Sequence, residues 1–418
     1  MTETATLRDA PWLTSGPAAR VLALLNADGE EARVVGGAVR NALLKLPPGD
    51  IDIATTAVPE EVVRRATAAR IKSVPTGIAH GTVTLVVDGH PFEVTTLRED
   101  VETFGRKATV AFGRDWRVDA ERRDFTINGL SVDAAGVIHD HVGGLADLAR
   151  RRVRFIGDPD RRIAEDYLRI LRFFRFSAAY GAGALDRDGY LACIRGRAGL
   201  SMLSAERVGM EMRKVLVAEN ALDAVVAMRD GGLLLPIFVG VAYPATLAAM
   251  IAIERLRGLK PNAMLRLGAL AVAVTEDARR LGARLRLTNS EVRMLDSMGH
   301  RWWRLAGMDE ATAQRRLYRL GETRFRDRVM LAWARAGLGI DPAYWQWLVT
   351  LPERWTVPAF PLKAADFLAR GFAEGPALGH VLSLAEDAWL AAGFPNDPAA
   401  LETIAEQTAA RFARDHKL

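Results

Sequence analysis

The sequence predicts an α+β protein, with a mixed sheet and helices in its first third and helices alone thereafter. Three observations carry this. Up to about residue 145 short β-like runs alternate with helical ones, as in a mixed domain of sheet and helices. From about residue 160 strand patterning fades, and apolar residues such as Ile163, Leu168, Ile170, Leu171, Phe174 and Phe176 recur between arginines. A chain of 418 residues also exceeds one ordinary hydrophobic core, so two to four domains are expected.

In chain order, Arg33-Val34-Val35 reads as a strand running into Gly36-Gly37, and residues 38–44 as a helix. Residues 50–54 form a short strand, and 59–69 a helix with Pro59 near its first turn. Residues 82–87 and 91–96 flank Asp88-Gly89, a dipeptide suited to a tight primed turn, so a β-hairpin is expected. The polar stretch from Leu97 to Trp116, with Gly105-Arg106-Lys107 and Gly113-Arg114-Asp115, reads as a loop by composition. Helical character returns over 204–217, 221–229 and 263–274, with joints at Gly231-Gly232, Pro236 and Pro261. Seven of the nine tryptophans follow residue 300 and are read as helix-packing core in preference to an RNA-stacking surface.

Half of the residues are hydrophobic and 26% charged, the profile of a soluble globular protein. Apolar runs such as 268–274 are too short to span a bilayer, and Met1-Thr2-Glu3-Thr4 does not resemble a secretory signal. The single cysteine, Cys193, excludes an intramolecular disulfide and any cysteine-rich zinc site, so cytoplasmic localisation without a membrane partner is expected. The net charge of +5 says little alone. The arginines at 150, 151, 152, 154, 161, 162, 169, 172 and 175 say more: they suit either a solvated helix face or the wall of a triphosphate site.

Such a site is legible. Asp50 and Asp52, two apart in a β-like run, would leave one face of the strand together. Paired carboxylates suit hard cations such as Mg²⁺, which shares its oxygen ligands with substrate phosphates. Gly36-Gly37 falls between strand and helix, where backbone lacking Cβ can approach a phosphate, and Arg40 follows in the helix's first turn. Glu93 alternates with Phe92 and Val94, so it faces the cleft if those two are core, or solvent if they are not. Asp166 and Arg169, three apart on an expected helix, offer an acceptor beside a donor. That pair suits the amine-plus-ring-nitrogen edge of cytosine or adenine and mismatches uracil and guanine. A plain surface ion pair is the structural alternative.

Gly36-Gly37-Ala38-Val39-Arg40 followed by Asp50-Ile51-Asp52 resembles the head motif of polymerase β-type nucleotidyltransferases, in detail that of class II tRNA CCA-adding enzymes and bacterial poly(A) polymerases. Glu121-Arg122-Arg123-Asp124 through Asn128 is similar to the second family motif, and Asp140 with Gly143-Gly144 and Asp147-Leu148 to the third. Arg162 to Arg172 is similar to the fourth, and Ser204-Ala205-Glu206-Arg207 to the fifth. The resemblance implies a catalytic nucleotidyltransferase head over 1–149, a helical neck reading the base over 150–218, a body over 219–300 and a tRNA-binding tail over 301–418. It implies that Asp50 and Asp52 hold Mg²⁺, and the strand alternation offers Glu93 as a candidate third catalytic carboxylate. It further implies that Arg122, Arg123, Asp124, Asn128 and Arg172 bind the nucleotide and that Asp166 and Arg169 select CTP and then ATP. In relatives a flexible loop near 97–116 helps the switch from C to A addition.

There are departures: Asn41 follows Arg40 where the motif usually has Asp, and Lys45 stands where glycine is common. His139-Asp140 offers the residue pair of a His-Asp metal phosphohydrolase, but the seven histidines show no ligand spacing. The expected function is CCA addition to the 3′ end of tRNA, with poly(A) synthesis as the nearest rival. Residues 71–87 lack the basic, aromatic, His-containing stretch of that rival, and the tail from Arg411 is only mildly basic. A catalytically silent RNA-binding protein has no use for the Asp50/Asp52 pair.

Overall fold

The computed structural model describes residues 6–78, 81–104 and 107–416. His80, Gly105-Arg106, Met1 to Thr4 and Lys417-Leu418 lie outside the described residues. Contacts divide the chain into two compact units, one of residues 1–244 with 280–287, the other of 245–279 with 288–418.

Among the described residues the first unit holds nine strands: β1 Ala32–Val35, β2 Asp52–Thr55, β3 Lys72–Gly77, β4 Thr82–Val87, β5 His90–Thr96, β6 Arg98–Phe104, β7 Lys107–Phe112, β8 Leu130–Val132 and β9 Ile138–Asp140. Seven form a mixed sheet in the order β3-β4-β5-β2-β1-β8-β9. β4 and β5 are joined by the expected hairpin, with Val87 opposite His90 and both Asp88 and Gly89 at positive φ, as a primed turn requires. Alternation sets the faces: Val83, Leu85 and Val87, with Phe92 and Val94, are buried, leaving Glu93 on the other side. β1 lies antiparallel to β2 with Val35 opposite Asp52, and β2 lies parallel to β5 with Ile53 opposite Val94. The edge strand β3 was not expected, and its Pro75 is tolerated because an edge needs fewer ladder donors.

The 97–116 stretch is not a loop. β6 and β7 pair antiparallel as a separate two-stranded ribbon, Arg98 opposite Phe112 and Phe104 opposite Lys107. Charged residues hid the β-branched and aromatic ones interleaved with them, Val101, Thr103, Thr109, Val110 and Phe112.

After the sheet, helices Pro159–Glu165, Leu168–Tyr180 and Ala205–Val217 build the rest of the site. The Leu168–Tyr180 helix is anchored by an aromatic cluster: Phe125 lies 4.8 Å from Phe155, which stacks at 5.5 Å on Phe173. In the second unit Trp333, Trp345 and Trp389 are buried as core, whereas Trp303 is exposed. The Ala263–Ala271 helix, N-capped by Asn262, stops short of residue 274 because Val272 is extended. No helix among the described residues is long and apolar enough to cross a membrane.

Candidate active site

At the end of β1 the chain turns through Gly36 at φ 70° and ψ −118°, a conformation that side chains avoid. A Cβ there would also sit 3.3 Å from Nη1 of Arg123. Helix Gly37–Leu43 then starts over a cleft of about 870 Å³ whose walls include Gly36, Gly37, Asp50 and Asp52. The expected strand over 50–54 needs correction: β2 begins only at Asp52, so Asp50 sits in the approach to the strand. The two carboxylates thus share a cleft without sharing a strand face. Lys45, where the motif favours glycine, takes φ 59° and carries the strain of a left-handed non-glycine residue.

Asp52 is pushed above the ordinary aspartate range, first by displacement of water from the cleft walls, then by Glu93 and Asp50, with Arg123 opposing. Its side chain nonetheless keeps solvent contact, as an open ligand site requires. Glu93 is exposed on β5, on the same sheet face as Asp52, and acts on it electrostatically without lining the cleft. The donor set fits a divalent cation: two hard oxygen donors lie on one wall, and the like-charge pressure on Asp52 is what a cation relieves. Among the described residues no three His, Cys, Asp or Glu side chains form a ready-made cage. Mg²⁺ usually takes one or two carboxylates and completes its shell with phosphate and water, and Asp50 and Asp52 supply that number.

A polar chain runs from the glycine turn to the helical wall. Arg40 is buried and donates through Nη1 to Asn128 Oδ1 and through Nη2 to the Tyr180 hydroxyl at 2.8 Å, its guanidinium lying 3.9 Å from the Tyr180 ring centre. Asn128 Nδ2 donates to Asp124 Oδ1 at 3.0 Å, and Arg172 Nε donates to Asp124 Oδ2 at 2.6 Å. Burial opposes the Asp124 charge, yet Arg172 and these hydrogen bonds hold its carboxyl below the ordinary range. Burial lowers Arg40 from its ordinary value, so an anionic ligand beside it would be favoured. Arg123 lines the cleft while donating to Asp119 at 3.0 Å. Arg122 does not: it bonds the other Asp119 oxygen and stays out of the cleft lining.

Asp166 and Arg169 both line the cleft, but not as neighbours on one helix. Helix Pro159–Glu165 ends at Asp166, whose backbone is extended, and a new helix begins at Leu168. Asp166 Oδ1 accepts from the Leu168 N–H at 3.1 Å, one residue ahead of the N-cap Tyr167, while Oδ2 accepts from Arg207 at 2.6 Å. Arg169 donates to Glu165 and to the Arg162 carbonyl at 2.7 Å. Neither side chain is spent on the other.

Sequence reasoning assigned no site role to Phe176, Tyr180 and Lys214, and offered Arg175 only within the arginine-rich stretch and Arg207 only within the fifth motif; all five lie in the cleft wall. The signal was present: 169, 172, 176 and 180 recur at helical spacing, and 207 and 214 lie two turns apart on one face. Arg40, Arg123, Arg169, Arg172, Arg175, Arg207 and Lys214 outnumber the cleft's four carboxylates, so the net field favours a polyanion.

Residues 32–154 match the family model described as the poly(A) polymerase head domain. The mitochondrial CCA tRNA nucleotidyltransferase 1 of Mus musculus is 32% identical over 88% of this chain and 84% of its own length. The CCA-adding enzyme of Geobacillus thermodenitrificans is 40% identical over 51% of this chain and 52% of its own. Among solved structures, the Bacillus stearothermophilus CCA-adding enzyme in complex with CTP superposes with a TM-score of 0.72 at 28% identity, covering 96% of this chain and 98% of that one.

Proposed function

This chain belongs to the class II tRNA nucleotidyltransferases, the CCA-adding enzymes grouped with the bacterial poly(A) polymerases, and on that footing we propose that it adds CCA to the 3′ end of tRNA from CTP and ATP. The observation that carries the reading is a single cleft holding three kinds of group. Asp50 and Asp52 stand beside a glycine turn, arginines line the way to the helical wall, and Asp166 and Arg169 stand on that wall.

In the reaction the terminal tRNA hydroxyl attacks the α-phosphorus of the nucleotide, a new O–P bond forms, the bond to the β-phosphate oxygen breaks and pyrophosphate leaves. Asp50 and Asp52 would hold Mg²⁺, with Glu93 adding negative charge at their flank. Mg²⁺ bound there activates the attacking hydroxyl and neutralises the leaving group. The Gly36-Gly37 turn leaves room for the triphosphate, and Arg40 and Arg123 balance its charge. Asp124, held by Arg172 and Asn128, faces the ribose. Asp166 accepts from the base amine and Arg169 donates to the adjacent ring nitrogen, which C and A share and U and G lack. Arg122 acts on the nucleotide only through Asp119, which it shares with Arg123. The division into head, neck, body and tail, with tRNA along the tail, belongs to the same proposal, as does a cytosolic setting, which suits the single buried thiol of Cys193.

The test uses a tRNA lacking its CCA end, Mg²⁺ and each nucleotide singly and together. CCA addition requires C first and stops after one A, whereas a long A tract would move the assignment to poly(A) synthesis. Chelation should stop incorporation and added Mg²⁺ restore it. Asp52→Ala should lower incorporation at least about 10³-fold, the rate equivalent of roughly 4 kcal/mol of lost charge stabilisation. Folding and tRNA binding should survive that substitution; activity retained in it would sink the metal assignment.

A further inference from the structure

Asn41 follows Arg40 past the first turn of the Gly37–Leu43 helix, and its amide makes two sets of bonds that point in opposite chemical directions. Its Oδ1 accepts from Arg40 Nη2 at 2.8 Å and from Nε at 3.1 Å. Its Nδ2 donates to the carbonyl of Pro47 at 3.0 Å and lies 3.5 Å from that of Pro48. The backbone adds a third tie, the Leu46 N–H to the Asn41 carbonyl at 2.8 Å. The Asn41 side chain thus joins the arginine proposed to face the triphosphate to the short loop that delivers Asp50.

The amide orientation is fixed by its partners. A guanidinium only donates, so the oxygen must face Arg40. Pro47 and Pro48 have no N–H, so their backbone only accepts, and the NH₂ group must face them. No carboxylate can do both: it would set a charged oxygen about 3 Å from a carbonyl oxygen with no hydrogen between them. Lys45 and Gly49 both sit at positive φ, and a Cβ on Gly49 would come to 4.0 Å from Asn41 Nδ2, so the loop backbone closes directly on the amide.

We propose that Asn41 and the Pro47-Pro48 carbonyls form a latch that positions Asp50, making Asn41 a positioning residue for the nucleotidyl transfer step. This rests on the reading of Asp50 as a metal-holding carboxylate in the proposed reaction. The two sets of bonds predict separable effects. Asn41→Asp keeps an acceptor for Arg40 and loses the donor to the loop, so nucleotide binding persists while Asp50 is released. Asn41→Leu, of similar size, loses both.

The full-length protein and both variants are compared in two assays. In steady-state CTP incorporation, Asn41→Asp should lower kcat about tenfold or more with KM for CTP within about twofold of the parent, since displacement of about 1 Å at a reacting centre costs up to about 10²-fold. Asn41→Leu should raise KM as well. In limited trypsin digestion without nucleotide, cleavage after Lys45 should be faster in Asn41→Asp than in the parent, because the loop opens more often. An unchanged kcat or an unchanged cleavage rate in Asn41→Asp overturns the latch. The digestion also keeps the two ideas apart. If the parent protein incorporates no nucleotide, the functional reading falls, while the cleavage rates still decide whether the latch exists.

Discussion

At the scale of single residues, Asp166 and Arg169 bring an acceptor and a donor into one cleft by a geometry other than the one expected. Spacing put Asp166 and Arg169 on one helix face, but the chain breaks between them and each is steadied by a different partner, Arg207 and Glu165. The break follows from side-chain competition: Asp166 takes the Leu168 N–H, which favours a helix start over a continuing helix. Residue type and position in the motif were legible in the sequence, whereas the partners were not, because Arg207 is remote in sequence. The arrangement makes a prediction about selectivity. Asp166→Ala removes the acceptor for the base amine and should reduce the preference for CTP over UTP by about 10–100-fold, from the roughly 1–3 kcal/mol of a good paired contact. Competition incorporation with mixed nucleotides measures this, and unchanged selectivity would remove Asp166 from base reading. Arg207→Ala leaves that acceptor in place but frees it to move, so it should raise KM for both nucleotides more than it alters their ratio.

At the scale of elements, the sheet that carries the carboxylates was readable because its strands alternate cleanly and the Asp88-Gly89 turn fixes one register. The β6–β7 ribbon was not, since charges interrupt its pattern, and β3 was masked by its proline. The third motif was recognisable by its residues, but only the structure shows what it does. Asp140 accepts backbone N–H bonds from Val142, Gly143, Gly144 and Leu145, folding the chain into a tight turn before helix Gly144–Ala149. Asp147 of that helix accepts from the Thr126 hydroxyl at 2.6 Å, fixing the short 3₁₀ turn Thr126–Asn128 that presents Asn128 to Arg40. Gly144 is the closest point of approach, for a Cβ there would lie 2.3 Å from the Thr126 carbonyl oxygen. Gly144→Ala should therefore cost about 1–3 kcal/mol by forcing the two elements apart. Urea unfolding gives the loss directly, and an unaltered midpoint would show that the turn yields without strain. The same variant should lower incorporation in the folded protein, because Asn128 moves with the 3₁₀ turn.

At the scale of the whole molecule, the chain's two compact units set different demands on the same sequence. The first gathers a set of charged groups around a cleft, where several are partnered with one another. The second is helical and buries tryptophans, and there a buried charge has no catalytic use to explain it. Asp327, on helix Glu322–Ala336, is such a group: burial raises its carboxyl to about 6, with Arg326 only partly opposing. The sign follows from linkage. Unfolded, the group titrates near the ordinary 3.8, so between that value and about 6 the folded state binds more protons than the unfolded state. Stability contributed by this group is therefore full below pH 4, falls as pH rises to about 6 and is lost above it, by at most about 3 kcal/mol. Other carboxylates titrate over the same range, so the informative quantity is the difference between the parent and Asp327→Asn, in which their contributions cancel. The amide is neutral at every pH and nearly isosteric. The variant should match the parent near pH 4 and exceed it in stability at pH 7, with the gap opening between those limits. Thermal unfolding followed by tryptophan fluorescence suits this, since Trp333 lies buried in the same helix. A gap that is constant with pH would show that Asp327 is ionised in the folded protein at no cost, and that Arg326 outweighs burial.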